Sequence, residues 1–355
     1  MIVIVTTTGL CNMACGYCGG SFDPTLVPER ESYSLDDLIE FIVEREADVA
    51  FYGGEPLMNP KLIKEVMDSL SSRDWTGRFV IQTNGTLIGN LPGSYWLRFD
   101  SILLSIDGRP QTNDAQRGSG NYLRVIEAAV ALREIGFSKD LIARMTVWEG
   151  TDIYEDVTHL LELGLFDHVH WQLNVIWSDR WNFEEWAERS YIPGIRRLSS
   201  LWIEEMRRGR VLGLAPFLGI MRATIYGDLP SPPCGAGTES FTVLPNGKVI
   251  ACPIAVDSKW AYVGELNGGV LNEVRLDEPC KSCAHFKYCR GRCLYAYMER
   301  LWGERGFHAV CEVTRRTIDE VIKWEGEVRS LIQSGVIAPE SVYYPKYNNT
   351  IEVIP

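Results

Sequence analysis

Short β-branched runs alternate with longer amphipathic segments through the first half of the chain. The runs predict buried strands at residues 2–8, 48–52, 78–83, 101–107, 141–148 and 168–175. Between them, apolar residues recur every three or four positions and predict helices at about residues 34–45, 60–70, 121–135 and 153–163. Six strands that alternate with helices indicate an α/β fold with a parallel sheet whose outer face is covered by helices.

The sixth predicted strand carries an unusual polar face. Its side chains alternate between the polar set His168, His170, Gln172 and Asn174 and the apolar set Val169, Trp171, Leu173 and Val175. Both faces of a helix-covered strand are buried, so a polar face needs a reason. We predict that Gln172 and Asn174 line a cavity for a polar, amide-bearing substrate. The roles of the two histidines stay open, since a histidine there could instead mark an exposed strand start.

The second half of the chain has a less regular pattern. Residues 176–230 show helical patterns rich in Trp and Arg, and residues 228–233 contain three prolines typical of a linker. Residues 244–249 predict a hairpin turn between two short strands. From about residue 312 an amphipathic helix is followed by an aromatic extended segment at 343–349, which either packs back on its own domain or contacts a peptide.

Composition narrows the functional classes. The chain has 355 residues, enough for two or three domains, and its net charge of −12 argues against a nucleic-acid partner. No run approaches the ~20 apolar residues of a membrane span, and Met1 leads into a strand without a charged leader. We therefore expect a cytoplasmic protein without a membrane partner. Its ten cysteines then indicate metal or redox chemistry, because disulfides rarely persist in that compartment.

Three cysteines follow the first strand in the spacing Cys-x3-Cys-x2-Cys. Cys11, Cys15 and Cys18 lie on a glycine-rich loop. Thiolates are natural ligands of iron–sulfur clusters, and a cube of four irons held by three cysteines leaves one iron open. Half a zinc site and a disulfide scaffold are the alternatives, although zinc sites more usually pair two Cys-x2-Cys arms and disulfide scaffolds belong to short secreted chains.

This loop resembles that of the radical S-adenosylmethionine (SAM) superfamily, in which SAM chelates the open iron. The resemblance implies a partial (β/α)6 barrel with its site at the carboxyl ends of the strands. It places Tyr17 near the adenine and the turn Gly53-Gly54-Glu55-Pro56 against the methionine amino group. It also makes Ser105 a ribose or carboxylate contact and directs Arg144 at the SAM carboxylate. Alternatively, Ser105 and Arg144 are hydrogen-bonded buried polar residues without such a role.

The other seven cysteines reproduce the SPASM signature, Cys…Gly-x4-Cys…Cys-x2-Cys-x5-Cys-x3-Cys…Cys. The resemblance implies a small cysteine-rich α+β domain with two auxiliary [4Fe–4S] clusters. It assigns to the distal cluster Cys280, Cys283, Cys289 and Cys311, and to the inner one Cys234, Cys252 and Cys293. With three thiols, the inner cluster lacks one cysteine ligand; some members have a cysteine where this chain has Ser240. A pair of zinc sites is the alternative reading of this half.

Together the two halves resemble radical SAM/SPASM peptide-modifying enzymes, of the type that mature ribosomally made peptides. The expected domains are residues 1–215 for the barrel, 216–311 for the SPASM domain and 312–355 for a C-terminal helix and tail. Three [4Fe–4S] clusters and SAM are the implied cofactors. The implied activity is that of an oxidoreductase or maturase: SAM is cleaved to a 5′-deoxyadenosyl radical, hydrogen is abstracted from a peptide residue, and a crosslink such as a thioether or an oxidation is installed.

Several expectations qualify this assignment. Members that form formylglycine carry an aspartate where this chain has Pro253, which disfavours sulfatase maturation. Many peptide modifiers start with a leader-binding domain of ~80 residues, whereas this chain starts at its first strand, so we expect recognition through the barrel, the tail or a separate leader-binding protein. A ferredoxin or flavodoxin is the expected electron donor. The same chemistry on a folded protein or a small molecule, and a non-catalytic electron carrier, are the alternative functions; the Gly-Gly-Glu-Pro turn disfavours the carrier.

Overall fold

A computed structural model describes residues 1–175 and 179–346 of the chain. Its centre is a parallel sheet in which each strand pairs with the next along the chain. The six strands are β1 (Ile2–Thr6), β2 (Asp48–Tyr52), β3 (Phe79–Thr83), β4 (Ser101–Ser105), β5 (Asp140–Val147) and β6 (His168–Leu173). The predicted α/β fold with a six-stranded parallel sheet is therefore confirmed.

Helices connect the strands of this sheet. They are α1 (Leu35–Glu44), α2 (Pro60–Ser71), α3 (Gly93–Trp96), α4 (Pro110–Arg117), α5 (Asn121–Glu134) and α6 (Ile153–Glu162). The first begins as its sequence predicts, because the Ser34 hydroxyl accepts a hydrogen bond from the Asp37 amide at 3.1 Å. Its apolar positions Leu38, Ile39 and Ile42 are buried. The pattern did not predict α4, whose eight residues are almost all polar.

The remaining helices surround the cysteine-rich half. They are α7 (Phe183–Trp186), α8 (Ile192–Arg207), α9 (Ala215–Ile225), α10 (Phe286–Cys289), α11 (Leu294–Glu299), α12 (Gly303–Ile322) and α13 (Glu325–Gln333). A π-helical turn, Ala187–Tyr191, joins α7 to α8. The predicted amphipathic helix at residue 312 is the second half of α12, which begins nine residues earlier. No helix in the described part of the chain is long and apolar enough to cross a membrane.

Three further strands extend the barrel sheet. They are β7 (Ser240–Val243), β8 (Lys248–Ile250) and β9 (Tyr262–Glu265). The antiparallel pair β7 and β8 confirms the predicted hairpin, and the Gly247 amide closes its turn on the Leu244 carbonyl at 2.9 Å. Unexpectedly, β7 also pairs in parallel with β1, with Ile2 opposite Ser240. The cysteine-rich half thus shares a sheet with the barrel, and the boundary at residue 215 stays a prediction.

The described part of the tail packs against the barrel. Tyr344 is 2% exposed, and its ring lies 4.4 Å from that of His168 at the amino end of β6. Tyr343 packs edge-on against Tyr226 at 5.0 Å. Packing of the tail on its own chain is therefore confirmed for these two tyrosines. The rest of the predicted aromatic segment, residues 347–349, lies outside the described residues, as do residues 176–178.

Candidate active site

The cysteine loop lies at the carboxyl end of the sheet, directly after β1. Its path is fixed by backbone contacts: the Phe22 amide donates to the Gly9 carbonyl at 2.8 Å, and a side chain at Gly9 would meet the Val27 carbonyl oxygen at 2.2 Å. Cys11, Cys15 and Cys18 line a central cavity of about 410 Å³. The structure therefore brings the three predicted thiols to one cavity at the barrel mouth.

The three thiols differ in how readily they lose a proton. The pKa of Cys18 is lowered to about 6, chiefly by a hydrogen bond from the Cys15 side chain. That same bond raises the pKa of Cys15, and burial raises that of Cys11. Since iron binds the thiolate, a metal would displace these protons. The donor set of three thiols on one loop fits three irons of a four-iron cube.

The Gly-Gly-Glu-Pro turn packs directly on the cysteine loop. The Gly54 amide donates to the Thr8 carbonyl at 3.0 Å, and the Glu55 amide donates to the Leu10 carbonyl at 2.8 Å. A Cβ atom added at Gly53 would lie 2.4 Å from the Thr8 carbonyl oxygen, and one added at Gly54 would lie 2.2 Å from the Leu10 carbonyl oxygen. The two glycines are therefore required for the contact between the turn and the cysteine loop, irrespective of any ligand.

The Glu55 carboxylate is held at the cavity wall by three donors. It is 1% exposed and accepts hydrogen bonds from Thr83 Oγ1 at 2.7 Å, the Asn84 amide at 2.8 Å and the Leu57 amide at 3.0 Å. Burial raises its pKa to about 7. Glu55 thus connects the ends of β2 and β3 and presents a fixed carboxylate to the cavity.

The Thr-Asn-Gly-Thr turn after β3 also supports the cysteine loop. Asn84 Nδ2 donates to Asn12 Oδ1 at 2.9 Å, while Asn12 Nδ2 donates to Thr86 Oγ1 at 2.8 Å. The amide of Thr86 in turn donates to Asn84 Oδ1 at 3.0 Å. Asn12 belongs to the segment between the first two cysteines, so the turn orients that segment.

A buried ion pair lies beneath Tyr17 and was not predicted as part of the site. Arg117, at the end of α4, donates two hydrogen bonds of 2.8 Å to Asp107, which follows β4. The Tyr17 hydroxyl donates to the same carboxylate at 3.0 Å, and the Thr146 amide donates at 2.8 Å. The guanidinium carbon lies 5.4 Å from the Tyr17 ring centre. Asp107 and Arg117 therefore position the predicted adenine-side tyrosine.

The sequence contained a signal for this pair. The segment Asn113 to Gly118 resembles the Asp-x-x-Arg-Gly segment of many peptide-modifying members, and from the sequence alone we expect only a structural link to the next helix. The structure adds one contact of that segment with the cysteine loop and places one of its residues in the cavity wall. The Gly16 amide donates to the Gln116 carbonyl at 2.9 Å, and Arg117 lines the central cavity.

The other predicted site residues divide into two groups. Ser105, Arg144, Gln172 and Asn174 line the central cavity together with Tyr17, Gly53, Gly54 and Glu55. Pro56 is absent from the described lining of that cavity and begins a short 3-10 turn, where its carbonyl accepts a hydrogen bond from Thr7 Oγ1 at 3.2 Å. His168 lies at the opposite end of the sheet, with Nδ1 2.6 Å from Asp140 Oδ1.

The cysteine-rich half contributes one wall of the central cavity. Cys252 and Pro253 line it, together with Ile254, Val256 and Asp257 from the same loop. This loop follows β8, which the sheet holds two strands away from β1. The loop that carries Cys252 and the first cysteine loop consequently face one space.

A second cavity of about 450 Å³ is formed by the last cysteines. Its walls contain the four thiols predicted for the distal cluster, and Cys293 as well: Cys280, Cys283, Cys289, Cys293 and Cys311. Burial raises the pKa of Cys280 to about 11 and that of Cys289 to about 12. Cys234 is half-buried. Within residues 1–175 and 179–346, no group of three or more His, Cys, Asp or Glu side chains converges closely enough to hold one metal ion.

Comparisons with known proteins agree with this geometry. The family model described as "Radical SAM superfamily" matches residues 5–164. The cysteine-type anaerobic sulfatase-maturating enzyme of Clostridium perfringens is 24% identical over 341 residues, which cover 82% of this chain and 88% of the relative. Mycofactocin maturase MftC of Mycobacterium ulcerans is 26% identical over 312 residues, covering 81% of each chain.

Solved structures share the fold across both halves of the chain. Native anSMEcpe with bound AdoMet and Cp18Cys peptide aligns with a TM-score of 0.74 at 18% identity, covering 93% of this chain and 99% of that one. Streptococcus suis SuiB bound to its precursor peptide SuiA aligns with a TM-score of 0.56 at 16% identity, covering 84% and 72%. The barrel sheet, the cysteine loop at its carboxyl end and the family match lead to one conclusion: residues 5–164 form a radical SAM domain, and the chain as a whole shares the fold of anSMEcpe.

Proposed function

We propose that this protein is a radical SAM maturase that oxidatively modifies a residue of a peptide, for example by forming a thioether or another crosslink. The observation that supports this best is the shared central cavity. Cys11, Cys15 and Cys18 face the same space as the polar strand residues Gln172 and Asn174 and the Cys252 loop. The space proposed for SAM therefore adjoins two side chains that could hydrogen-bond a peptide amide. It also adjoins a loop that carries one cysteine of the second set.

When bound, a cluster on the three cysteines would supply the electron that cleaves SAM to the radical used for hydrogen abstraction. Residues of this chain would hold the SAM molecule. Glu55 offers a carboxylate to the ammonium group, and Arg144 offers a guanidinium to the carboxylate group. Tyr17, held by Asp107, would face the adenine. Gln172 and Asn174 would hydrogen-bond a backbone or side-chain amide of the peptide.

Two auxiliary clusters would occupy the second half of the chain. Five of the seven cysteines there surround a cavity rather than a single point, as a cofactor larger than one ion requires. We propose that the distal cluster uses Cys280, Cys283, Cys289 and Cys311, and that the inner one uses Cys234, Cys252 and Cys293. The partners would be a peptide substrate, a separate leader-binding protein and a ferredoxin- or flavodoxin-type donor.

The second candidate is the same chemistry on a folded protein. The similarity to a sulfatase-maturating enzyme favours it. Pro253 disfavours it, because this residue lines the central cavity where formylglycine-forming members are expected to present an aspartate. Anaerobic incubation of the reduced protein with SAM tests the shared chemistry, since 5′-deoxyadenosine must be released. Peptides encoded beside the gene, compared with folded protein substrates, then separate the two candidates by the mass change they undergo.

Glu55→Gln is expected to weaken SAM binding tenfold to a hundredfold and to leave the cluster spectrum intact. The lost charge-assisted hydrogen bond to the ammonium group is worth ~1.5–3 kcal/mol. Equilibrium binding of SAM to the reconstituted protein measures the effect. Thr83→Val is the matched control, because it removes a donor to the same carboxylate but keeps the charge. Unchanged SAM affinity in Glu55→Gln, or an equal loss in Thr83→Val, would contradict the proposed ammonium contact.

Ser240→Ala is expected to leave the spectrum of the inner auxiliary cluster unchanged. Ser240 is 2% exposed within β7, and a serine alkoxide is costly to form where a thiolate is not. The fourth iron would then be exchangeable, and a cysteine-containing peptide or a small thiol should perturb its electron paramagnetic resonance (EPR) signal. A serine analogue of the peptide is the control. An altered spectrum in Ser240→Ala would instead assign the serine as a ligand.

A further inference from the structure

Arg292 is a buried arginine within the second cysteine set. It stands in the segment Cys289-Arg290-Gly291-Arg292-Cys293 and is 7% exposed. Its amide donates to the Cys289 carbonyl at 2.9 Å, so its backbone is fixed by a turn between two cysteines. The radical SAM site does not use this residue, and the resemblance to the family assigned it no role.

The backbone at Arg292 is unfavourable for a residue with a side chain. The φ angles of Arg290, Gly291 and Arg292 are +51°, +83° and +52°, so three consecutive residues occupy the left-handed region. Residues with a Cβ atom rarely adopt this conformation, whereas glycine adopts it readily. An arginine held there indicates that its side chain contributes something that glycine would not.

The guanidinium group of Arg292 has no acidic neighbour among the described residues of the cavities that it lines. Its Nη1 atom is buried and has no hydrogen-bond partner in the described part of the chain. Arg292 lines the distal cysteine cavity and also a small neighbouring cavity of about 20 Å³. The described residues that line these two cavities include no aspartate and no glutamate. An arginine remains protonated when buried, and buried charges are normally paired.

The cysteines are therefore the only source of negative charge in these walls. The four cysteines proposed to bind the distal cluster, Cys280, Cys283, Cys289 and Cys311, line the cavity together with Cys293 and Arg292. We propose that Arg292 is the counter-charge of the cluster bound by these cysteines and that it raises the reduction potential of that cluster. This inference rests on the proposed function, because it requires an auxiliary cluster in the distal cavity.

The direction of the effect follows from charge. When the cluster accepts one electron from an external reductant, its net charge becomes more negative by one. A fixed cation nearby stabilises the reduced form more than the oxidised form, so the cluster accepts the electron more readily. Low solvent exposure strengthens this interaction, because little water screens the pair.

The experiment measures reduction potentials in the full-length protein. Cys11, Cys15 and Cys18 are changed to alanine so that only auxiliary clusters titrate, and dithionite with redox mediators is the reductant. In this parent, R292Q is expected to shift the midpoint potential of one cluster to more negative values. The expected size of this shift is a tenfold change in the reduction equilibrium constant, which is about 59 mV for one electron. EPR and visible absorbance follow the titration.

Two further variants separate charge from packing. R292K keeps the positive charge, so its midpoint potential is expected to lie close to that of the parent. R290Q is the matched control: Arg290 has the same backbone conformation, but its Nη2 donates to the Gly227 carbonyl at 2.8 Å, and it is not among the described residues that line either cavity. We expect R290Q to leave both midpoint potentials unchanged.

The outcomes distinguish this inference from the proposed function. If the parent holds no auxiliary iron, the proposed function itself fails. The counter-charge role is overturned if R292Q holds its iron and the midpoint potentials of both auxiliary clusters equal those of the parent. It is also overturned if either midpoint potential shifts to more positive values. If R292Q loses iron, the R292K variant decides between the two roles. An R292K protein that retains its iron at the parental midpoint potential supports the charge role. An R292K protein that also loses iron assigns Arg292 to packing and overturns the inference.

Discussion

Replacing Cys11, Cys15 and Cys18 together by alanine is expected to remove about a third of the bound iron and all SAM cleavage. The complete protein should carry about twelve irons and twelve sulfides as three cubane clusters. The three thiols line the cavity in which SAM is proposed to bind, and Cys252 is the one further cysteine in its described lining, which is too few thiols to hold a replacement cluster. Iron and sulfide analysis and anaerobic release of 5′-deoxyadenosine measure the two effects.

A matched triple variant serves as the control for this experiment. Cys280, Cys283 and Cys311 line the distal cavity and are absent from the described lining of the central one. Changing them to alanine should remove a similar share of the iron while SAM binding persists. Cleavage of SAM by the Cys11, Cys15 and Cys18 variant would contradict the central assignment.

Arg117→Met is expected to lower the free energy of unfolding by about 3–5 kcal/mol and to disorder the Tyr17 side of the cysteine loop. Removing one partner of a buried ion pair leaves an uncompensated charge. The Asp107 side chain is fully buried and the Arg117 side chain is 7% exposed. Without Arg117, the Asp107 carboxylate would keep only the Tyr17 hydroxyl and the Thr146 amide. Urea unfolding followed by tryptophan fluorescence measures the change.

Arg98→Met is the matched control for the buried pair. Arg98 also donates to an aspartate, Asp68, at 2.7 Å, but the two side chains are 28% and 56% exposed. Exposed pairs contribute about 0–1 kcal/mol, so this variant should be nearly as stable as the parent. Equal losses in the two variants would show that burial of the Asp107 pair has no special effect on stability.

The sequence predicted those parts of the fold that depend on local pattern. The six strands are short, largely buried runs, and the longer helices α1, α2, α5 and α6 have regular apolar spacing, so these elements were found. Helix α4 was not found, because a helix of mostly polar residues has no apolar stripe. The pairing of β7 with β1 was not found either, because the two strands are more than 230 residues apart and nothing in the pattern of either specifies its partner.

The residues of the candidate site could be predicted where they belong to a short sequence motif. The cysteines were identified from their spacing and the Gly-Gly-Glu-Pro turn from its resemblance to the family's motif, and the predicted cysteines of the first loop do share a cavity. The physical reason for Gly53 and Gly54 could not be predicted from the sequence, because their close approach to Thr8 and Leu10 depends on how two loops pack. The roles of Asp107 and Arg292 likewise depend on burial and on neighbours distant in sequence.

The parallel pairing of β1 with β7 has a consequence for biosynthesis. During translation β1 can pair with β2 once residue 52 has emerged, but its other edge stays open until residues 240–243 are made. That edge belongs to Ile-Val-Ile-Val-Thr, a segment without charge or proline, which favours pairing with other chains. Chains cut between the barrel and β7 would expose it permanently. We therefore expect a barrel fragment without β7 to aggregate more readily than the longer chain, in which β7 covers this edge of β1.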